Sequence, residues 1–337
     1  MKAVILRAPG RIAIEDVPEP KPTDDTVLLL VRMVGLCGSD LNSYRGKNPM
    51  VSFPRIPGHE VAATIVESVP GWPTLLPGMN VTLSPYTSCK SCAACRNHRP
   101  NACVHNQTLG VQRDGALTEY IRVPPERIYA ANLSIKELCM TEPLTVGFHA
   151  VARGRVTAAD TVAVFGCGGV GLGVVAASGF CGAKTIAIDV EDDKLSIARQ
   201  AGATDTINTK HEPLHPRLLE CTNGRGPDVV IEAIGLPETF RASVEEVAFT
   251  GRVVYIGYAK QPIDYETSLF VQKELDILGS RNALPEDFTK VLQMLKAKRF
   301  PVDRAVSSII SMKDVPDIFQ QWDRSPEQFT KIMVQVS

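Results

Sequence analysis

Four cysteines lie close together in one short segment of the chain. They follow the spacing C-x2-C-x2-C-x7-C and are Cys89, Cys92, Cys95 and Cys103. Thiolates at such short spacing can complete a tetrahedral shell around one Zn²⁺ ion, which leaves no coordination position for chemistry. Disulfides are the alternative, but no other feature of the sequence indicates a secreted protein. The spacing therefore predicts a structural zinc site.

A second set of metal ligands is spread over a longer stretch of the chain. Cys37 and His59 supply a thiolate and an imidazole. Glu60 and Glu142 carry carboxylates that can either bind an ion directly or hold its bound water. Asp40 is expected to accept a hydrogen bond from the His59 ring and so orient it. Because a catalytic zinc needs about three protein ligands and one exchangeable position, this set predicts a second, catalytic zinc site. Which of the two glutamates binds directly is left open.

A glycine-rich hexapeptide at residues 166–171 fits the pattern G-x-G-x-x-G. It follows a short apolar run at 161–165 and opens an apolar segment that continues through residue 177. Glycines in such a strand–turn–helix permit a tight turn and let the backbone approach a pyrophosphate at the helix N-terminus. We therefore interpret the turn as a dinucleotide-binding site whose glycines are Gly166, Gly168, Gly169 and Gly171.

The acidic residue expected about 20 residues farther on is Asp189, at the end of the next apolar run. A carboxylate there accepts hydrogen bonds from the adenosine ribose and repels a 2′-phosphate. Asp189 is followed by Val190 and Glu191 and by no arginine, so NAD is favoured over NADP. Lys194 is the nearest cation, and a cofactor contact and a solvated helix position explain it equally well.

The elements that must position these residues are of two kinds. Before residue 140 the chain is rich in proline and in short β-type runs, of which 26–34, 61–68 and 79–83 are examples. After residue 143, apolar runs alternate with helical segments, as is typical of parallel strands covered by helices on both faces. The six runs are 161–165, 185–189, 204–207, 228–232, 252–256 and 275–278. They predict a complete doubly wound sheet.

The end of the chain returns to mixed character, with a helix predicted at 285–297 and a last β run near 331–335. We therefore predict an α/β protein of two domains. Residues 1–142 and 284–337 form a mostly β, zinc-binding catalytic domain. Residues 143–283 form an NAD-binding domain with a doubly wound, parallel, six-stranded sheet.

The composition excludes several classes of protein. The chain has 337 residues and a formal net charge of −1, so it offers no basic field for a polyanion, and we expect no nucleic-acid partner. No apolar run reaches the ~20 residues that a membrane span requires, and the N-terminus does not resemble a signal peptide. Nine cysteines without an export signal indicate a reducing compartment, so we expect a cytoplasmic protein without membrane contact.

Together these motifs resemble the zinc-containing medium-chain alcohol and polyol dehydrogenases over essentially the whole chain. The resemblance is carried by Cys37-Gly38-Ser39-Asp40, Gly58-His59-Glu60, the four-cysteine lobe, residues 114–120, Glu142-Pro143 and the glycine turn. Glu142 stands where the sorbitol-dehydrogenase-like members carry glutamate. The resemblance implies a GroES-like catalytic domain and a Rossmann cofactor domain. It also implies two zinc ions per chain, NAD, and a homodimer or homotetramer.

The resemblance further implies roles for residues that show no motif of their own. The NAD and nicotinamide pocket is expected to be lined by Val170, Asp189, Lys194, Ile256, Gly257, Ser280 and Arg281. Ser39 would carry the proton away from the substrate hydroxyl, assisted by Glu142 through water. Many relatives have a histidine at the position of Asn42. Since asparagine cannot titrate, the proton must leave through water or another group.

Residues 279–283 are similar to the branch of the family that acts on sugar acids, including galactonate. Arg281, followed by Asn282, is the candidate residue for binding the substrate carboxylate or a hydroxyl, because a guanidinium binds a carboxylate through two parallel hydrogen bonds. A hinge salt bridge or a cofactor contact explains Arg281 equally well, and Arg113 is the second candidate. We therefore predict hydride transfer between NAD and a secondary alcohol of a small-molecule sugar acid or polyol, with a galactonate-type substrate favoured.

Two alternatives stay open at the level of sequence. Polyol dehydrogenases of the sorbitol or galactitol type and threonine-type dehydrogenases look similar around the zinc, and the pocket residues do not separate them. A zinc-binding regulatory protein with a non-catalytic cofactor fold is the alternative outside enzymes. The near-zero net charge and the intact set of Cys37, His59 and Glu142 argue against it.

Overall fold

The computed structural model describes residues 1–21 and 23–337. The chain divides into two compact units: unit 1 is Met1–Glu142 with Val302–Ser337, and unit 2 is Pro143–Pro301. In this division the segment 284–301 groups with unit 2, whereas the boundary drawn from the sequence places it in the catalytic domain. That boundary stays a prediction. Among the described residues, none of the helices has the length and apolar character that spanning a bilayer would require.

The described residues form fifteen β-strands. In chain order these are β1 Lys2–Ala8, β2 Arg11–Asp16, β3 Val27–Leu36, β4 Glu60–Glu67, β5 Asn80–Leu83, β6 Tyr120–Val123, β7 Ile128–Ala130, β8 Thr161–Phe165, β9 Lys184–Asp189, β10 Asp205–Asn208, β11 Val229–Glu232, β12 Arg252–Tyr255, β13 Asp276–Gly279, β14 Ser308–Ser311 and β15 Ile332–Gln335. Strands β8–β13 belong to unit 2 and the others to unit 1.

Twelve α-helices accompany these strands in the described part of the chain. They are α1 Gly38–Tyr44, α2 Ala93–Arg96, α3 Ile135–Cys139, α4 Thr141–Arg153, α5 Gly169–Phe180, α6 Asp192–Ala201, α7 Leu214–Cys221, α8 Pro237–Glu246, α9 Ser268–Gln272, α10 Pro285–Lys296, α11 Val302–Ala305 and α12 Val315–Arg324. Short 3₁₀ turns lie at Pro100–Ala102, Pro125–Arg127, Met312–Asp314 and Pro326–Gln328.

The main sheet of unit 1 has the strand order β14-β15-β3-β4-β5-β7, with β6 paired to β3, while β1 and β2 form a separate antiparallel ribbon. Along β3 the alternate residues Val27, Leu29 and Val31 are fully buried, as the two-residue period of a strand requires. The C-terminal strand β15 pairs antiparallel with β3. The prediction that the last β run returns to the first domain is therefore confirmed.

The sheet of unit 2 has the order β10-β9-β8-β11-β12-β13, and all neighbouring strands are parallel. Residues 162–164 of β8 are completely buried, since the central strands of such a sheet are covered on both faces. The strand order reverses between β8 and β11, and ligands of doubly wound folds bind at the carboxyl ends of the strands at this point. The predicted six-stranded sheet is confirmed.

Candidate active site

The four cysteines of the lobe bring their sulfur atoms together. The Sγ atom of Cys92 lies 3.6 Å from that of Cys95 and 3.8 Å from that of Cys103. The Sγ atoms of Cys103 and Cys89 are 3.6 Å apart. Zinc–sulfur bonds of about 2.3 Å in a tetrahedral shell imply sulfur–sulfur distances of about 3.8 Å, whereas a disulfide requires about 2.05 Å. The geometry therefore fits one zinc ion and excludes disulfide pairing.

Hydrogen-bond donors around the lobe favour a thiolate at Cys89. The Ser91 hydroxyl donates to the Cys89 sulfur at 3.5 Å, and the Cys92 N–H donates to the same sulfur at 3.3 Å. The Ser91 hydroxyl, together with backbone N–H groups, lowers the pKa of Cys89 to about 5. The Cys103 sulfur accepts the N–H groups of Cys89 and His105, both at 3.3 Å. Thiolate is the form that binds metal, so Cys89 is prepared for zinc. Burial, together with the neighbouring thiols, raises the pKa of Cys95 to about 12, so zinc binding there must displace a proton.

The second cluster is assembled by the pairing of two strands. Cys37 follows β3 and caps α1, while His59 precedes β4, which begins at Glu60. The antiparallel register sets Gly35 opposite Glu60, and a Cβ atom at Gly35 would lie 2.0 Å from Glu60 Oε2. Glycine is therefore required at this position for the carboxylate to fit. As a result, the ligand atoms of Cys37, His59 and Glu60 all lie within 4.8 Å of one another.

Lys331 completes this cluster and was not predicted from the sequence. Its Nζ atom donates to both carboxylate oxygens of Glu60, at 2.6 and 2.7 Å, and to the Leu36 carbonyl at 3.2 Å. Both side chains are buried. Burial opposes the charge on Lys331, but the Glu60 carboxylate raises the pKa of Lys331 above its usual value. The two residues are 271 positions apart, so the only local signal was a lysine at the start of the last apolar run.

Glu142 is buried at the second position of α4 and is held by a tyrosine from another part of unit 1. The Tyr86 hydroxyl donates a hydrogen bond to Glu142 Oε1. Burial raises the pKa of Glu142, and the charge of Glu142 in turn favours a protonated His59. Tyr86 is a further residue that the sequence analysis missed, since a tyrosine among prolines and serines carries no signal of its own.

Ser39 and Asp40 lie in the first turn of α1, next to the candidate ligand Cys37. The Asp40 Oδ2 atom accepts the Cys37 N–H at 2.9 Å. The Asp40 Oδ1 atom is 3.9 Å from His59 Nδ1, which is longer than a hydrogen bond. Although burial disfavours the charged ring, Asp40 and Cys37 raise the pKa of His59 well above its usual value. Because Asp40 faces Nδ1, Nε2 is the nitrogen available to a metal.

Three buried polar atoms of this site have no hydrogen-bond partner among the described residues. They are Ser39 Oγ, Asp40 Oδ1 and His59 Nδ1. Unpaired polar atoms are costly in a protein interior, so their presence together points to a ligand that pairs or orders them. A thiolate, an imidazole and a carboxylate form a donor set that suits zinc. The cluster therefore fits the predicted catalytic ion.

In unit 2 the glycine turn has the backbone that a dinucleotide requires. Gly166 has φ +93°, in the left-handed region, and Gly168 caps α5, which begins at Gly169. A Cβ atom at Gly171 would lie 1.8 Å from the Gly166 carbonyl oxygen, so only glycine permits this close approach. Val170 lies half-buried in the first turn of α5. The free N–H groups of this helix end are suited to a pyrophosphate.

Asp189 lies at the end of β9, beside the glycine turn. Its Oδ2 atom accepts the Cys167 N–H at 2.7 Å, and its Oδ1 atom accepts the N–H groups of Val190 and Glu191 at 2.7 and 3.0 Å. Asp189 lines a cavity of about 620 Å³ together with Gly166, Gly168, Lys194, Ile234 and Thr209. The backbone thus fixes the carboxylate at the wall of a cavity large enough for part of a dinucleotide.

Ile256 and Gly257, which are predicted to line the cofactor pocket, both contact Glu232. Glu232 is another residue that the sequence analysis missed. Its main-chain carbonyl accepts the N–H groups of Ile256 and Gly257, at 2.9 and 3.2 Å. A Cβ atom at Gly257 would lie 2.4 Å from Glu232 Oε2, so the buried carboxylate occupies the space that a side chain would need. Ser280 follows β13 and is buried, with no hydrogen-bond partner for its Oγ atom among the described residues.

The residues predicted to bind substrate lie in different units. Arg281 and Asn282 belong to unit 2 and follow Ser280, and Asn282 has φ +54°. Arg113 belongs to unit 1, where its guanidinium donates to the carbonyl oxygens of Gln107 and Pro85, both at 3.2 Å. Arg113 therefore ties two loop segments together, and a substrate role for any of these three residues stays a prediction.

Two family profiles match the chain. The profile described as "Alcohol dehydrogenase GroES-like domain" matches residues 23–132, and the profile described as "Zinc-binding dehydrogenase" matches residues 169–297. The first match lies within unit 1 and the second within unit 2. The fold is therefore a GroES-like domain joined to a Rossmann domain, as the resemblance implied.

Similar proteins cover the chain almost completely. A sorbitol dehydrogenase of Bacillus subtilis is 31% identical over 99% of this chain and 97% of its own length. The L-galactonate-5-dehydrogenase of Escherichia coli K12 is 29% identical over 90% of this chain and 89% of its own length. Among solved structures, RspB of Escherichia coli CFT073 in complex with NADH has a TM-score of 0.91 and 27% identity, covering 100% of this chain and 99% of RspB.

Proposed function

Because the chain belongs to the family of zinc-type medium-chain alcohol and polyol dehydrogenases, we propose that it transfers a hydride between NAD and a secondary alcohol of a sugar acid or polyol. The observation that carries the proposal is the cluster of Cys37, His59 and Glu60, in which His59 and Glu60 are buried, with the unpaired hydroxyl of Ser39 two residues after Cys37. Such a cluster can hold a Lewis acid and still leave one position for an alcohol oxygen.

The side chains around the cluster have separable tasks in this proposal. When bound, zinc lowers the pKa of an alcohol oxygen and NAD accepts a hydride. Ser39 Oγ accepts the hydrogen bond of the substrate hydroxyl, because it is buried and lacks another partner. Lys331 holds the Glu60 carboxylate in place, and Tyr86 holds that of Glu142. Since Asn42 cannot titrate, the proton leaves through water.

The preference for NAD follows from Asp189, and we expect kcat/KM with NAD to exceed that with NADP at least about tenfold, or about 1.4 kcal/mol. The carboxylate is held by three N–H groups and would face a 2′-phosphate at the wall of the cavity. Replacing Asp189→Ser together with Val190→Arg should shift the preference towards NADP. Asp193→Ser is the control, because it removes the same charge from an exposed position nearby. A wild-type protein that already prefers NADP would contradict the assignment.

The substrate class rests on the relatives and on Arg281. The two named relatives act, by name, on L-galactonate and on sorbitol, which differ in the presence of a carboxylate. A zinc ion contacts only the reacting oxygen, so a sugar acid needs a separate cation for recognition. Arg281 follows β13 at the carboxyl edge of the sheet, where ligands of doubly wound folds bind. These arguments favour a sugar acid over a neutral polyol.

A panel of sugar acids, polyols and threonine, assayed with NAD in wild-type protein and in Arg281→Ala, tests this proposal. We expect the variant to raise KM for a hydroxy-carboxylate by a factor that corresponds to a loss of about 2–4 kcal/mol in binding free energy. This is the scale for losing a buried charge partner. KM for the matching neutral polyol, KM for NAD and the zinc content should change little. Arg225→Ala, at an exposed position, is the control. Equal losses for acid and polyol would reassign the protein as a polyol dehydrogenase.

A further inference from the structure

One face of helix α4 holds both ends of the loop that carries Ser280, Arg281 and Asn282. At the start of the loop, the Arg153 Nε atom donates to the Gly279 carbonyl at 3.1 Å. At its end, the His149 Nδ1 atom lies 3.0 Å from Asp287 Oδ2. His149 and Arg153 are four residues apart in one helix and therefore share a face. The loop is thus tied at both ends to a single rigid element.

The contact at the end of the loop is buried and also determines where α10 begins. His149 is 4% exposed and Asp287 is 1% exposed. The same Asp287 Oδ2 atom accepts the N–H of Leu284 at 2.8 Å, and Leu284 is the residue that precedes α10. One carboxylate oxygen therefore joins α4, Leu284 directly after the loop 280–283 and the first turn of α10. A displacement of His149 would move all three.

The opposite contact of α4 is with the helix that follows the glycine turn. A Cβ atom at Gly147 would lie 2.2 Å from the backbone carbon of Gly173 in α5, and one at Gly173 would lie 3.2 Å from the Leu144 Cα atom. The Phe148 and Phe180 rings pack beside this contact, with centroids 6.1 Å apart. Because two backbones touch without intervening side chains, α4 and α5 cannot shift independently.

We propose that His149 and Asp287 form a positioning pair that sets the loop 280–283 relative to the phosphate-binding turn, for the nicotinamide half of the cofactor. This inference rests on the proposed NAD-dependent function. Neither residue touches the reacting atoms; they act through the loop. A directional, buried hydrogen bond fixes one geometry where apolar packing would permit several. The pair therefore controls where Ser280 and Arg281 lie along a cofactor whose other half is held by the glycine turn.

The positioning role can be separated from a general structural role by measuring two ligands. The dissociation constants of NADH and of ADP-ribose are compared between the wild-type protein and His149→Phe. ADP-ribose reaches the glycine turn and Asp189 but carries no nicotinamide. In His149→Phe, which keeps an aromatic ring but removes the donor, we expect the Kd for NADH to rise about tenfold, the scale of a lost hydrogen bond. The Kd for ADP-ribose should stay within about twofold of its wild-type value. Asp287→Asn should largely restore NADH binding relative to Asp287→Ala, because the amide keeps an acceptor for the Leu284 N–H.

A matched control is the pair of His215 and Glu246 in the same unit, whose atoms Nδ1 and Oε2 are 2.8 Å apart at an exposed position. His215→Phe should change neither dissociation constant. If His149→Phe does not fold, Arg153→Met provides the same comparison at the other end of the loop, with an expected NADH-specific loss of about threefold. Equal weakening of both ligands, or no weakening of NADH, would overturn the positioning role. A wild-type protein that binds neither ligand would overturn the proposed function with it.

Discussion

In the four-cysteine lobe all ligand atoms come from residues 89–103, and three of the four cysteines are partly exposed. In the second cluster, by contrast, Cys37 follows one strand, His59 and Glu60 open its neighbour, and Lys331 precedes a third. The lobe has little apolar packing to hold it, so a metal must supply its stability. The second cluster is held by the pairing of β3 with β4 and with β15. The same element, zinc, is thus expected to stabilise structure at one site and to perform chemistry at the other.

The largest effect that tests this contrast is expected for Cys37→Ser. Loss of the thiolate should lower kcat/KM at least about 10³-fold, since metal catalysis supplies several kcal/mol. The melting temperature should change little, because the pairing of β3 with β4 holds the site. Steady-state kinetics and thermal denaturation measure the two effects.

The matched change in the lobe, Cys92→Ser, should show the reverse pattern, with a clear loss of melting temperature and zinc, and with activity per folded molecule retained. A mild chelator should likewise abolish activity in the wild-type protein before it unfolds the chain. Parallel loss of activity and stability in both variants would remove the distinction between the sites.

A smaller effect, on stability, is expected for Lys331→Met. This change leaves the buried Glu60 carboxylate without its counter-charge, and removing one partner of a buried pair costs about 3–5 kcal/mol. Lys2→Met is the control, because the ion pair between Lys2 and Asp16 is largely exposed and is expected to contribute little to stability. Urea unfolding gives both values, with zinc content measured alongside. A loss below about 1 kcal/mol for Lys331→Met would mean that the sheet does not depend on this pair.

The smallest effect is expected for Asp40→Asn. The amide keeps an acceptor for the Cys37 N–H but removes the charge that faces His59. Groups that orient a ligand typically contribute 10- to 100-fold to metal affinity, so the site should bind zinc weaker by about that factor. Competition with a chelator measures the affinity, and Asp317→Asn, at an exposed position of the same unit, is the control. An unchanged affinity would show that Asp40 does not orient His59.

Local patterns predicted much of this molecule. The apolar runs gave the strands of unit 2, because a strand buried on both faces must be apolar at nearly every position. The glycine turn could be predicted because two of its glycines meet local backbone requirements, the positive φ of Gly166 and the lack of room for a Cβ atom at Gly171. The lobe could be predicted because its four candidate zinc ligands all lie within residues 89–103, so their spacing alone restricts the geometry.

Three residues that the sequence analysis did not assign to a contact, namely Tyr86, Lys331 and His149, have partners that are remote in the chain. Tyr86 meets Glu142 across 56 positions and Lys331 meets Glu60 across 271. His149 meets Asp287 across 138 positions. A single lysine, tyrosine or histidine has no spacing pattern that distinguishes a buried partner from a solvated side chain. Only the register of the strands and the packing of the helices bring such pairs together.

The sequence by itself determined which residues are available for chemistry, namely two sets of residues suited to bind zinc, a glycine turn suited to bind phosphate and an acidic residue at the end of the next strand. Those properties depend on residue type and short spacing, which the chain carries in any conformation. The tertiary structure alone decided that Glu60 is neutralised by Lys331, that Ser39 Oγ is buried and unpaired, and that α4 holds both ends of the loop 280–283. These facts depend on burial and on contacts between distant segments, because the energy of a charge or a hydroxyl is set by what surrounds it.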